Sequence, residues 1–249
     1  MKYCKSAMNI IEQKDVFRFK QFAISQSQCG MKVGTDGILL GAWAPIDGVN
    51  SALDIGAGTG LLSVMLAQRA SQLDPIIGVE IDERSYYEAK ENFEQSPWAD
   101  RLNIVHQSIQ DFANEVDFGF DLIISNPPFF TGGTLSESQT KNNVRHTIKL
   151  PHSDLLRSVK RLLNPKGRFT VILPTLEGYR FIELAEQYGL YESKITMVKP
   201  TAEKEIERLL INFRTKPVDR IVESELILRD GQTGQMTEDY SNLVSDFYL

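Results

Sequence analysis

Two hydrophobic rhythms alternate along this chain. Short apolar runs of strand length fall near 51–55, 76–81, 102–107, 121–125, 168–173, 194–199 and 206–214. Between most of them, near 60–70, 83–95, 153–163 and 178–188, apolar residues recur every three to four positions, as on one face of a helix. Strands alternating with amphipathic helices predict an α/β protein, a parallel sheet with helices on both faces. The last two runs are joined by Pro200-Thr-Ala-Glu-Lys-Glu205, too short for a helical crossover, which predicts an antiparallel hairpin.

The flanks are patterned differently. Residues 1–16 are polar and aperiodic and read as a loose arm. Phe17 to Phe22 alternates as a half-buried strand does, and Ser25-Gln-Ser-Gln28 reads as the turn into a second short strand reaching Val33. Thr35 and Asp36 look like the start of a helix through Trp43, ended by Pro45 and Gly48. Gly132-Gly133 through Lys149 has no period, so a mobile loop that substrate can order is expected. From Val222 a strand-like Leu226-Ile-Leu228 precedes a polar turn, and the apolar ending Asp246-Phe-Tyr-Leu249 predicts a tail docked on the body.

Two motifs carry chemistry. In Leu53-Asp-Ile-Gly-Ala-Gly-Thr-Gly60, a strand runs into a helix through three spaced glycines. Gly56, Gly58 and Gly60 permit a tight turn and close backbone approach to a ligand. Asp54 puts a carboxylate at the strand end, suited to a cationic amine. Glu80, ending the next strand, suits a ribose diol. A nicotinamide dinucleotide is the other ligand such a turn suggests, but Leu61 stands where that fold needs a third small residue, and no basic residue faces a pyrophosphate.

The second motif is Asn126-Pro-Pro-Phe129, directly after the apolar run that ends at Ser125. Open α/β sheets bind ligands at the carboxyl ends of their strands. Two prolines fix two φ angles and remove two N–H donors, leaving the Asn126 side-chain oxygen and the Pro127 carbonyl as rigid acceptors. Such a pair can hold both hydrogens of an exocyclic amine, and Phe129 can stack on the flat ring bearing it. Alone, the tetrapeptide also reads as an ordinary turn.

Length, charge and cysteines narrow the picture further. The chain's 249 residues suit a single domain. No apolar run is long enough to span a membrane, and Met1-Lys-Tyr-Cys-Lys lacks a secretory pattern, so a cytoplasmic location is expected. Cys4 and Cys29 read as free thiols, and His106, His146 and His152 lack metal-ligand spacing, so no metal is expected. The net charge of −6 opposes indiscriminate nucleic-acid binding. Its distribution does not: Lys141 to Arg168 holds eight basic residues against Asp154 alone. Of these, Lys141, Arg145 and Lys149 follow the Asn-Pro-Pro-Phe motif and are expected to meet RNA phosphates.

Together the motifs resemble the class I S-adenosylmethionine-dependent methyltransferases that act on exocyclic or amide nitrogens. Met31 to Trp43 and the Asp246-Phe-Tyr-Leu249 ending are similar to the bacterial enzymes that form N6-methyladenine at position 37 of valine tRNA. The resemblance implies a Rossmann-like fold with a seven-stranded, mostly parallel sheet and a terminal antiparallel strand. It also implies S-adenosylmethionine as cofactor, a tRNA as partner, and no stable protein partner. By it, Lys32, Thr35 and Asp36 sit near the methionine end of the cofactor, although capping accounts equally for Thr35 and Asp36. Glu80 and Ile81 lie at the ribose, Ser108 stands where relatives carry an Asp at the adenine amine, and Ile109 covers the adenine face. Asn126, Pro127 and Phe129 would be catalytic, with Asn126 also beside the cofactor. The expected organisation is one domain over 1–249. It comprises the arm at 1–16, a hairpin and helix covering the cofactor at 17–48, a sheet core at 49–220 and a docked tail at 221–249. Guanine N2 in ribosomal RNA, adenine in DNA and a protein glutamine are alternative acceptors for the same chemistry, and an RNA-binding module without activity is the non-enzymatic alternative.

Overall fold

A computed structural model describes residues 15–128 and 150–249. Its centre is an eight-stranded sheet. The strands are β3 (Ala52–Ile55), β4 (Ile76–Glu80), β5 (Leu102–His106), β6 (Phe120–Ser125), β7 (Leu163–Pro174), β8 (Tyr191–Lys199), β9 (Arg208–Arg214) and β10 (Val222–Ile227). Their spatial order is β10-β8-β9-β7-β6-β3-β4-β5. Helices α1 (Thr35–Trp43), α2 (Leu61–Arg69), α3 (Glu83–Gln95), α4 (Ile109–Glu115), α5 (His152–Leu162), α6 (Thr175–Gln187) and α7 (Glu238–Val244) cover it.

Both faces are dry. One core gathers Ile38, Leu40, Met65, Leu66, Leu122 and Ile124, so α1 and α2 pack on one face of the central strands. The other gathers Ile123, Phe112, Leu156, Val159, Phe169 and Phe181, from α4, α5, α6 and the opposite face. Burial on both sides explains why the central strands read as continuous apolar runs rather than alternating ones.

Three features depart from the sequence expectation. First, β9 is antiparallel to both neighbours, as the short link from β8 requires, but it is not the terminal strand. It sits between β7 and β8, and β10 adds an eighth strand parallel to β8, with Leu226 opposite Val198. Most of β10 is exposed, so burial left only the apolar Leu226-Ile-Leu228 end as a signal. Second, the N-terminal hairpin turns earlier than Ser25. Strands β1 (Val16–Arg18) and β2 (Ala23–Ser25) pair across a turn in which the Phe19 N–H donates to the Phe22 carbonyl at 2.8 Å. Those two rings stack at 4.4 Å, so the turn is held by aromatic contact rather than by turn residues. Asp15 already belongs to this hairpin, its carbonyl accepting from the Gln26 N–H at 2.8 Å. Third, α4 is an added helix of seven residues, capped by Ser108.

The C-terminal segment packs against the same hairpin. Phe247 is buried in the first core, and its carbonyl accepts from the Lys20 N–H at 2.9 Å. The Gln68 amide of α2 donates to the Asp246 carbonyl at 2.9 Å.

Candidate active site

The carboxyl ends of β3, β4 and β6 meet at the site. Between β3 and α2 the chain turns through Gly56, Gly58 and Gly60 with φ of 71°, 57° and 79°, in the left-handed region that favours glycine. At Gly60 a Cβ would also collide with the Phe93 ring of α3, so two requirements fix that residue. The Gly56 and Ala57 N–H groups donate to the Val79 carbonyl at 2.9 and 3.2 Å, which binds the turn to the end of β4.

Glu80 organises the same corner. One carboxylate oxygen accepts from the Gly58 N–H at 2.8 Å, the other from the Ile81 and Asp82 N–H groups at 2.9 Å. Three backbone donors offset the cost of burying this charge and aim it at the turn. Beside it the Ile81 side chain is exposed, an apolar surface next to an acceptor.

A cleft of about 580 Å³ opens over the turn, within the range of a small-molecule site. Lys32, Thr35 and Asp36 line one wall, Gly56 and Gly58 the floor, and Asn126 the inner end. Asn126 reaches it because the Ser125 hydroxyl donates to the Ile55 carbonyl at 2.8 Å, tying the end of β6 to the end of β3. The Asn126 side-chain oxygen is buried and has no hydrogen-bond partner. Pro127 is buried behind it and Pro128 is exposed. A buried amide oxygen left unsatisfied is costly and therefore marks a place for a donor.

The other residues singled out from sequence take varied positions. Asp54 is fully buried and faces the first turn of α2 rather than the open cleft. Its Oδ2 accepts from the Ser63 N–H at 3.2 Å and the Ser63 hydroxyl at 2.8 Å, while Oδ1 has no partner. Burial pushes its carboxyl up to about 7, against the Ser63 hydrogen bonds and with a small push from Glu80. Ser108 caps α4: its oxygen accepts from the Asp111 N–H at 3.1 Å, and its hydroxyl donates to the Asp111 carboxylate at 2.6 Å. Ile109 lies in the second core, so its side chain is not a free cover for a ligand ring. Lys32 pairs with Asp15 at 3.2 Å. Thr35 is the first residue of α1 and not its cap, a position taken by Gly34, and Asp36 pairs with the Arg208 guanidinium at 2.9 Å. Phe129, Lys141, Arg145 and Lys149 lie outside the described residues. His152 is half-buried with its ring edge-on to Phe181 at 4.9 Å, a packed rather than a surface histidine.

The far wall was absent from the sequence reading. Val198, Pro200, Glu207, Arg208 and Leu228 complete the cleft from the ends of β8, β9 and β10. No local motif marks them. Only the sheet order brings them beside Asn126.

The arrangement suits a ligand with an amino-acid end, a sugar diol and a flat base. The glycine turn offers backbone at contact distance, Glu80 a fixed acceptor and Ile81 an apolar ledge, and Asn126, with its unpartnered oxygen, lines the cleft. These residues fit S-adenosylmethionine. Comparisons with known proteins agree. The family model "Methyltransferase small domain" matches residues 34–197. A tRNA1(Val) (adenine(37)-N6)-methyltransferase of Proteus mirabilis is 41% identical over 243 residues, 95% of each chain. The protein of that name from Histophilus somni is 42% identical over 95% of this chain and 98% of its own. Among solved structures, a predicted O-methyltransferase from Agrobacterium tumefaciens superposes with a TM-score of 0.65 at 16% identity, covering 85% of this chain and 96% of that one. At that identity the likeness speaks for the fold alone. The chain belongs to the methyltransferase small domain family and, within it, to the family of the tRNA1(Val) (adenine(37)-N6)-methyltransferases.

Proposed function

We propose that this protein methylates the exocyclic N6 of adenine 37 in a valine tRNA, with S-adenosylmethionine as methyl donor. The observation that carries the reading is Asn126, which lines the cleft at the end of β6 and whose side-chain oxygen is buried and unpartnered. Full-length similarity to proteins named for this acceptor supports the choice of nucleotide.

The cofactor, when bound, supplies a methyl group already activated on a sulfonium. The chain's own work is therefore positioning. In this reading the Asn126 oxygen and the Pro127 carbonyl accept the two N6 hydrogens. That turns the nitrogen toward tetrahedral geometry and frees the lone pair otherwise delocalised into the purine. The same acceptors offset the positive charge that develops on nitrogen. Phe129 is assigned to stacking from the sequence, and Lys141, Arg145 and Lys149 to the RNA backbone. Gly56, Gly58, Gly60, Glu80 and Ile81 are assigned to the cofactor, with Asp54 supporting them through the first turn of α2. The base must leave its stack to enter, which an anticodon loop permits at low cost. A tRNA acceptor supports a cytoplasmic location. Among the described residues no helix is long and apolar enough to cross a membrane, and no group of side chains is arranged to hold a metal ion.

The test is transfer of tritiated methyl from S-adenosylmethionine to unmodified bulk tRNA, followed by nucleoside analysis. N6-methyladenosine in a valine tRNA is the expected product. Incorporation only into ribosomal RNA, DNA or protein would overturn the acceptor while leaving the cofactor site standing.

A further inference from the structure

Helix α3 presents three buried polar side chains on one face, Ser85, Glu88 and Asn92, spaced by three and four residues. Glu88 is 1% exposed, and no cation pairs with it among the described residues. Its carboxylate instead collects consecutive backbone donors. Oε1 accepts from the Ser27 N–H at 2.6 Å, the Gln28 N–H at 3.0 Å and the Ser27 hydroxyl at 3.2 Å. Oε2 accepts from the Cys29 N–H at 2.7 Å. One turn later Asn92 accepts from the Ser25 N–H at 2.8 Å and donates at 2.9 Å to the carbonyls of Ser25 and of Thr59, inside the glycine turn. The Ser85 hydroxyl oxygen lies 3.5 Å from the Cys29 sulfur and 2.9 Å from the Asp82 carboxylate.

One helix thus grips two segments that are far apart in sequence. Residues 25–29 lead directly into Met31–Gly37, which lines the cleft, and Thr59 belongs to its floor. Fastening a hairpin to a helix does not require a buried charge, since apolar contacts would do so without the desolvation cost. A carboxylate that orders three successive N–H groups instead sets the backbone path of the strap.

We infer that Glu88 and Asn92 are positioning residues for cofactor binding: they fix the 25–29 strap against the glycine turn, so that Met31–Gly37 stands as a preset wall of the cleft before any ligand arrives. The inference rests on S-adenosylmethionine occupying that cleft. Neither residue touches the ligand. They act by holding two of its walls at one spacing.

The experiment combines calorimetric titration of S-adenosylhomocysteine with hydrogen exchange of the full chain. Glu88→Ala is expected to raise the dissociation constant for S-adenosylhomocysteine by about tenfold or more, within the range of ordinary site coupling. Exchange should accelerate at residues 25–33 and not in β3, β4 or β6. The KM for S-adenosylmethionine rises with it, while kcat at saturating cofactor and the KM for tRNA stay within about twofold, a split that general destabilisation does not produce. Asn92→Ala should show the same pattern. Affinity within about twofold of wild type despite a released strap would overturn the inference, as would loss of protection spread across the sheet. Should Glu88→Ala fail to fold, the wild-type protein still decides. In the ligand-free protein the amides of Ser27, Gln28 and Cys29 must already be protected, and rapid exchange there before S-adenosylhomocysteine is added refutes the role. A wild-type protein that does not bind S-adenosylhomocysteine removes the cofactor assignment and this inference together, whereas failure in the variants alone leaves that assignment intact.

Discussion

Two regions around the glycine turn treat buried polar atoms in opposite ways. Around β4 and α3 every acceptor is occupied. Glu80 takes three backbone N–H groups, Glu88 takes three more and a hydroxyl, and Asn92 bridges two segments. At β3 and just after β6, by contrast, Asp54 Oδ1 and Asn126 Oδ1 are buried and unpaired. A saturated acceptor gives shape, because moving it breaks several bonds at once. An unsatisfied one costs about 1–3 kcal/mol, and a fold that retains it does so for a partner or relieves it by protonation. The same cleft therefore separates scaffold from chemistry, and the contrast tells which mutations act on affinity, on stability or on turnover.

The sharpest test falls on Asn126. Asn126→Ala removes the unpaired oxygen. Methyl transfer should fall by at least about 10²–10³-fold, the scale seen when one charge-stabilising group is lost from an active site. The dissociation constant for S-adenosylhomocysteine should stay close to wild type. Single-turnover rates beside calorimetric binding separate the two quantities. Wild-type-like turnover would erase the distinction between the two regions.

The second orphan, Asp54, is predicted to act on stability. Burial lifts its carboxyl from 3.8 to about 7, so the folded chain binds this proton more tightly than the unfolded chain does. An acid raised in the native state destabilises it as pH climbs. The loss begins above the unfolded value, near pH 4, and is complete above the folded value, near pH 7, with an upper bound of about 4 kcal/mol. Asp54→Asn keeps an acceptor for Ser63 and removes the ionisation. Urea unfolding followed between about pH 5 and pH 8 should show the wild-type decline flattened in the variant. An unchanged slope would mean that the pH dependence belongs to other groups.

The same contrast explains what the sequence disclosed. The glycine turn and the Asn126 corner were readable because each is local: a strand end, a few residues of restricted φ, and a ligand-facing atom within one motif. The central strands and long helices were readable because burial imposes a period on them. The α4 helix escaped because seven residues make two turns, too few for a period. The hairpin was misplaced because Phe19 on Phe22, not a turn residue, holds it. The far wall at Val198, Arg208 and Leu228 comes from three strand ends brought together by the sheet order, and no window of sequence contains it. Glu88 was hidden for a related reason. On a helix with many acidic residues, only tertiary contact distinguishes the one that points inward.

Ser108 gives the smallest and most discriminating test. The resemblance implies an adenine-contacting position here, whereas the structure has the Ser108 oxygen capping α4 through Asp111. Ser108→Ala should then cost about 1 kcal/mol of stability, the ordinary loss for an N-cap, and leave affinity for S-adenosylhomocysteine within about twofold. Ser108→Asp sharpens the comparison, because it keeps a capping acceptor and adds a carboxylate, which then meets Asp111 where the serine hydroxyl had donated. If capping is the whole role, Ser108→Asp also loses stability through that like-charge contact, and binding does not change. If the adenine amine lies within reach, Ser108→Asp tightens binding and Ser108→Ala weakens it. That result would move Ser108 from the saturated, shape-giving set into the small group of atoms kept for the ligand.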